Sequence, residues 1–86
     1  MVRVEFYGIP RQRTGVDVAT AAGNTLHEVL LDLAARYPKM ADECLEGGWL
    51  RAGYTASVNG ARFVTAGDTP LAADDCVLIM SVDVGG

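Results

Sequence analysis

The side chains that most often carry catalysis are scarce and widely spaced in this sequence. There is one histidine, His27, and there are two cysteines, Cys44 and Cys76, with no CxxC spacing between them. A structural zinc site draws on four such ligands, so no metal centre is expected. Either thiol can in principle take up sulfur as a persulfide. Small free cysteines also pack well, and both are read as buried or merely tolerated. His27 falls in the first turn of a predicted helix, where a solvated side chain accounts for it, and no nucleophile stands paired with a base. The remaining candidate is the backbone itself. The sequence closes on Gly85-Gly86, and glycine, lacking a Cβ, passes where side chains jam. A glycine pair can mean fraying alone. The functional reading makes the α-carboxylate of Gly86 the reacting group, with Gly85 beside it on a thin tether.

The elements that must position such a tether fit one small domain. Eighty-six residues supply one core and not two. Half of them are apolar and 21% charged, so the chain is expected to fold. The net charge of −4, with arginines scattered at 3, 11, 13, 36, 51 and 62, argues against a nucleic-acid partner. An acidic surface suits steered encounter with basic protein partners. No signal-peptide pattern and no membrane-length apolar run are present, which points to a soluble cytoplasmic protein with reduced thiols and no membrane partner.

Val2, Val4 and Phe6 alternate with Arg3, Glu5 and Tyr7, the period of a half-buried strand. Gly8-Ile9-Pro10 breaks it, residues 11–15 read as an exposed loop, and Val16-Asp17-Val18 reads as a short returning strand. Residues 25–37 are the clearest helix. Thr25 and Glu28 are spaced as a capping box. Leu26, Val29, Leu30, Leu33, Ala34 and Tyr37 form one apolar stripe. Asp32 and Arg36 can pair across one turn, and Pro38 ends the helix. Within 39–53, residues 40–45 fit a turn or two of helix closed by Gly47-Gly48, and Trp49 and Leu50 anchor to the core. Residues 54–58 form a strand, Asn59-Gly60 is a strong hairpin signal, and 61–64 return. Asp74 and Asp75 are turn formers. The run 76–82 is apolar on both faces, the mark of a central strand. One helix stripe covers one sheet face. The expected architecture is therefore α+β, a β-grasp with a mixed four- to five-stranded sheet and one main helix on one face, spanning 1–86 with a flexible tail at 83–86.

With that order on the page, the chain resembles the ubiquitin-like sulfur carriers of the MoaD/ThiS type over essentially its whole length. The resemblance runs through the opening strand at 2–6, the helix start Thr25-Leu26 and its end Tyr37-Pro38, and Val58-Asn59-Gly60. It continues through Thr69-Pro70-Leu71, Asp74-Asp75, the last strand and Gly85-Gly86. It implies a carrier, not an enzyme. A ubiquitin-activating-type adenylating enzyme spends ATP to join AMP to Gly86, and no cofactor is held permanently. A sulfurtransferase or cysteine desulfurase then supplies sulfur, and the thiocarboxylate delivers it. The chemistry is sensible: a carboxylate is a poor electrophile, whereas its acyl-adenylate has a good leaving group. From Val82 to Gly86 the extended chain spans roughly 16 Å at about 3.3 Å per residue, enough to enter a buried site.

The segment 38–53 resembles MoaD-type carriers, which implies molybdopterin biosynthesis and a large molybdopterin synthase subunit as acceptor. One departure stands out. MoaD-type tails commonly carry proline and small residues before Gly-Gly, whereas this one has Ser81-Val82-Asp83-Val84. Thiamine or another sulfur-transfer pathway with its own accepting enzyme stays open, as does a β-grasp interaction module that is never activated. In the last strand Val77 and Ile79 point one way and Cys76, Leu78, Met80 and Val82 the other, and the resemblance to the family's last strand implies that Val77 and Ile79 are the pair facing the helix. The second set then faces outward, and Leu78, Met80, Val82 and Val84 are the expected partner-binding residues.

Overall fold

A computed structural model describes residues 1–82. The alternation at the start becomes β1 (Val2–Tyr7), with Val2, Val4 and Phe6 buried and Arg3 and Tyr7 exposed. At the other end β7 (Cys76–Ser81) buries Val77 and Ile79 completely. These two strands lie side by side and parallel, pairing Val4 with Val77 and Phe6 with Ile79. The helix α2 (Leu26–Arg36), β2 (Val18–Ala21), β5 (Tyr54–Val58) and β6 (Arg62–Val64) complete the main layers. The five-stranded sheet has the order β2-β1-β7-β5-β6, mixed because only β1 and β7 run parallel. The expected central position of the last strand is borne out, and so is the mixed sheet beneath one main helix.

The stripe Leu26, Val29, Leu30 and Leu33 has no exposed surface and joins Val2, Val4, Phe6, Ala56, Val58, Val77 and Ile79 in one core. Thr25 caps α2 as expected, its Oγ1 accepting the Glu28 N–H at 3.3 Å. The reciprocal half differs from a capping box: the Glu28 carboxylate accepts the N–H of Asn24, at 2.8 Å. Two more first-turn amides are used by a distant loop, Leu26 N–H to the Thr69 carbonyl and His27 N–H to that of Gly67. Asp32 and Arg36 pair at 3.3 Å. Asp32 also accepts the Ala22 N–H, and Arg36 donates to the Thr20 carbonyl, so this ion pair covers the open edge of β2.

Three expectations are corrected. Residues 11–15 are not a loop: α1 (Ile9–Thr14) occupies most of that stretch. Pro10 stands in its first turn and is buried, and Gly15 closes it at φ 76°, donating its N–H to the Arg11 carbonyl. The returning strand begins at Val18 and not at Val16, because the helix exit consumes Val16, whose N–H and carbonyl both bond the Thr14 hydroxyl. The segment after α2 is more regular than its sequence suggests. α3 (Pro38–Cys44) leads into a two-stranded hairpin of β3 (Leu45–Glu46) and β4 (Trp49–Leu50), turned by Gly47 and Gly48 at positive φ. Trp49 and Leu50 pack against the core as expected. No helix of the described residues is long and apolar enough to cross a membrane.

Candidate functional site

The helices leave one face of the sheet open, and strand register determines which residues stand on it. β1 sets Glu5 beside Leu78 and Tyr7 beside Met80. β5 sets Ser57 and Thr55 on the other side of the same two residues, and β6 sets Phe63 beyond Ser57. One row therefore reads Val18, Glu5, Leu78, Ser57, Phe63. Leu78 and Met80 are half-buried, while Tyr7 and Phe63 are 46% and 70% exposed. The expected parity of β7 holds: Val77 and Ile79 face the core, Leu78 and Met80 face out. Val82 lies just past the strand and is 43% exposed. Val84, Gly85, Gly86 and the tail expected at 83–86 lie outside the described residues. Tyr7, Val18 and Phe63 were missed as members of this face. For Tyr7 the alternation of β1 carries the signal; for Phe63 it emerges only from pairing with β5.

A polar cluster interrupts the apolar face. The Glu5 carboxylate accepts from the Tyr7 hydroxyl at 2.5 Å, from Arg3 Nε at 3.1 Å and from the Cys76 thiol at 3.4 Å. The Tyr7 bond first, then those from Arg3 and Cys76, hold the Glu5 carboxyl below its ordinary range. The same bond raises the Tyr7 phenol. Desolvation first, then Glu5, raises the Cys76 thiol. Cys44 is fully buried, and desolvation raises it too. Both thiols are thus held towards the protonated form, the opposite of an activated nucleophile. His27 is exposed on the helix, near Gly48 and Gly67. Among the described residues no group of three or more His, Cys, Asp or Glu is placed to hold a metal ion.

The chain leaves the sheet at the end of β7. Ser81 pairs with Tyr54, and the Val82 N–H bonds the Gly53 carbonyl at 2.7 Å. Tyr54 is itself tied down, its hydroxyl donating to Glu43 at 2.8 Å, and desolvation with that bond pushes its phenol up to about 12. A shallow groove lined by Tyr7, Gly8, Leu78, Met80 and Ser81 runs along the open face to this exit. What the arrangement can do is direct the chain past Val82 alongside a partly apolar open face.

No family model and no curated protein matches the chain. Solved structures do. Mycobacterium tuberculosis CysO is 28% identical over 94% of this chain and 98% of its own, with a TM-score of 0.78. A putative molybdopterin converting factor subunit 1 from Pyrococcus furiosus is 26% identical over 93% and 94%, with a TM-score of 0.73. The Amycolatopsis orientalis BexX/CysO complex contains a chain that matches over the full length of both, at 22% identity and a TM-score of 0.83, which bears on the fold alone. The chain is therefore a ubiquitin-like β-grasp protein, and its resemblance to the small sulfur carriers of the MoaD/ThiS type holds in structure as well as in sequence.

Proposed function

We propose that this protein is a sulfur carrier whose reacting group is the carboxylate of Gly86. The observation that carries the proposal is the place of β7. The strand is clamped at the centre of the sheet between β1 and β5, and it runs straight out to Val82 beside an open apolar face. Gly85 and Gly86 follow three and four residues later. In the first step a carboxylate oxygen attacks the α-phosphorus of ATP in an adenylating partner, and pyrophosphate leaves. The outer sulfur of a persulfide donor then attacks the acyl carbon and AMP leaves; a thiol next cleaves the S–S bond of this acyl disulfide, carrying the donor's inner sulfur off in a new disulfide and leaving the thiocarboxylate. Leu78, Met80 and Val82, with Val84 beyond them, form the docking side of the tether. The likeness to the Pyrococcus converting-factor subunit supports an acceptor in molybdopterin biosynthesis, a large synthase subunit. The likeness to CysO supports a second reading, a carrier serving a different sulfur acceptor.

The test is intact-mass analysis after incubation with ATP, the adenylating enzyme from the same genome, a persulfide donor and a reducing thiol. The expected result is an AMP adduct followed by exchange of one oxygen for sulfur at Gly86. A verified cognate enzyme that yields neither species would leave an interaction module that is not activated.

A further inference from the structure

Three groups from distant parts of the chain meet where it leaves the sheet. Gly8 joins β1 to α1 at φ 69° and ψ −133°, a backbone region that side-chain-bearing residues rarely enter. A β-carbon there would lie 2.2 Å from Ser81 Oγ, so only glycine leaves room for the hydroxyl. Ser81 uses that room to accept the N–H of Ile9, the first residue of α1, at 3.3 Å. Gly8 is the N-cap of this helix and has no side chain to cap it. The cap is instead supplied by the last residue of β7, seventy-two positions away. On the other flank the next residue, Val82, donates its N–H to the Gly53 carbonyl at 2.7 Å. The end of β7 is therefore fixed from two sides, by α1 through a side chain and by the β5 approach through the backbone.

We infer that Ser81 is a positioning residue for the chemistry at Gly86, an inference that rests on the carrier reading above. By holding the exit at Val82, it leaves four residues to span the distance to a partner's active site, roughly 13 Å at about 3.3 Å per residue. Where loss of the Ser81 bond lets the exit fray back past Val82 and Ser81, the number of residues between the sheet and Gly86 grows from four to six. Chain statistics alone then lower the effective concentration of the carboxylate about twofold. Loss of the fixed exit direction adds to that, because misplacing a reacting group by about 1 Å can cost on the order of 100-fold.

The experiment compares wild type with Ser81→Ala, Ser81→Thr and Gly8→Ala in single-turnover adenylation, alongside amide hydrogen exchange. Ser81→Ala is expected to lower the rate at saturation about 3- to 10-fold with KM within about twofold, since the proposed docking side chains Leu78, Met80 and Val82 are kept. Ser81→Thr keeps the Oγ and restores the rate. Gly8→Ala pushes the hydroxyl away and falls in the same direction as Ser81→Ala. The amides of Ile9 and Val82 exchange faster in Ser81→Ala, a readout that does not depend on any enzyme. If wild type is adenylated and Ser81→Ala turns over equally fast, the positioning role is overturned while the carrier reading stands. If wild type is never adenylated, the carrier reading fails and takes the positioning role with it. Unchanged protection of Ile9 and Val82 in Ser81→Ala overturns the latch whatever the enzyme does.

Discussion

Glu5 shows how one residue organises an otherwise apolar surface. Tyr7, Arg3 and Cys76 all donate to its carboxylate, and its pKa lies below the ordinary 4.5. A carboxyl depressed in the folded state adds stability that is complete above its unfolded pKa and is lost as pH falls through the folded one. Glu5→Gln should therefore lie below wild type in urea midpoint near neutral pH, and the two curves should converge as pH falls below about 4.5. A gap that stays constant into acid would show that the charge on Glu5 is irrelevant to folding. The same cluster governs Cys76. Its thiol is raised by desolvation first and by Glu5 second, so alkylation by iodoacetamide at neutral pH should be slower than for free cysteine. Glu5→Gln should recover part of the rate and not all of it, because the burial stays. A wild-type rate above that of free cysteine would reverse this reading of the thiol.

At the level of elements, two short polar devices hold the layers in register. Thr25→Ala removes the α2 cap and should cost about 1 kcal/mol, lowering Tm by about 4–8 °C for a domain of this size. Asn59 stands at φ 58° in the β5–β6 turn, and its side chain reaches both Cys76 N–H at 2.8 Å and Asp75 at 3.0 Å. It thereby ties the hairpin to the start of β7. Asn59→Gly tolerates the backbone angle and loses only those two bonds, so a destabilisation of about 1–2 kcal/mol in thermal or urea unfolding isolates their contribution. No change would show that the turn alone sets the register. What the sequence made legible follows the same division between local and distant causes. Alternation in β1, the stripe of α2 and the Asn59-Gly60 turn all sit within a few residues, and each was readable; β7 alternates too, but the side that meets the helix came from the family resemblance. The helix α1 was not, although Pro10 and Gly15 bracket it, because a six-residue helix cannot persist alone. It depends on burial of Pro10 and on a cap from Ser81, and neither is visible from residues 9–14. The open face was half legible for a like reason. That Leu78 and Met80 share one side follows from a single strand, whereas Phe63 joins them only through pairing with β5.

The molecule as a whole is asymmetric, and the asymmetry is what makes the open face available. Residues 39–53 are a candidate cover for that face, yet Met40, Cys44 and Leu45 sink into the same core as the α2 stripe. Ala41, Leu45 and Glu46 line a groove with Leu30, Leu31 and Ala34 of that helix. The segment thus thickens the helical layer and leaves Leu78 and Met80, with Tyr7 and Phe63 around them, facing outward. Their half-burial means each still presents apolar area for a partner, and methionine adapts its shape to several in turn. Leu78→Arg and Met80→Arg, made separately, should keep the native circular dichroism spectrum and weaken binding of the adenylating enzyme about 10-fold or more, as buried anchors of an interface do. Ile79→Arg is the contrasting variant. Ile79 has no exposed surface, and an unpaired charge there should abolish folding. Sedimentation of the free protein separates docking from self-association, since a face used between copies would make wild type dimeric and the arginine variants monomeric. Unchanged enzyme affinity in both folded variants would move the docking site off this face. Collapse of Leu78→Arg with tolerance of Ile79→Arg would mean that the two sides of β7 have been assigned in reverse.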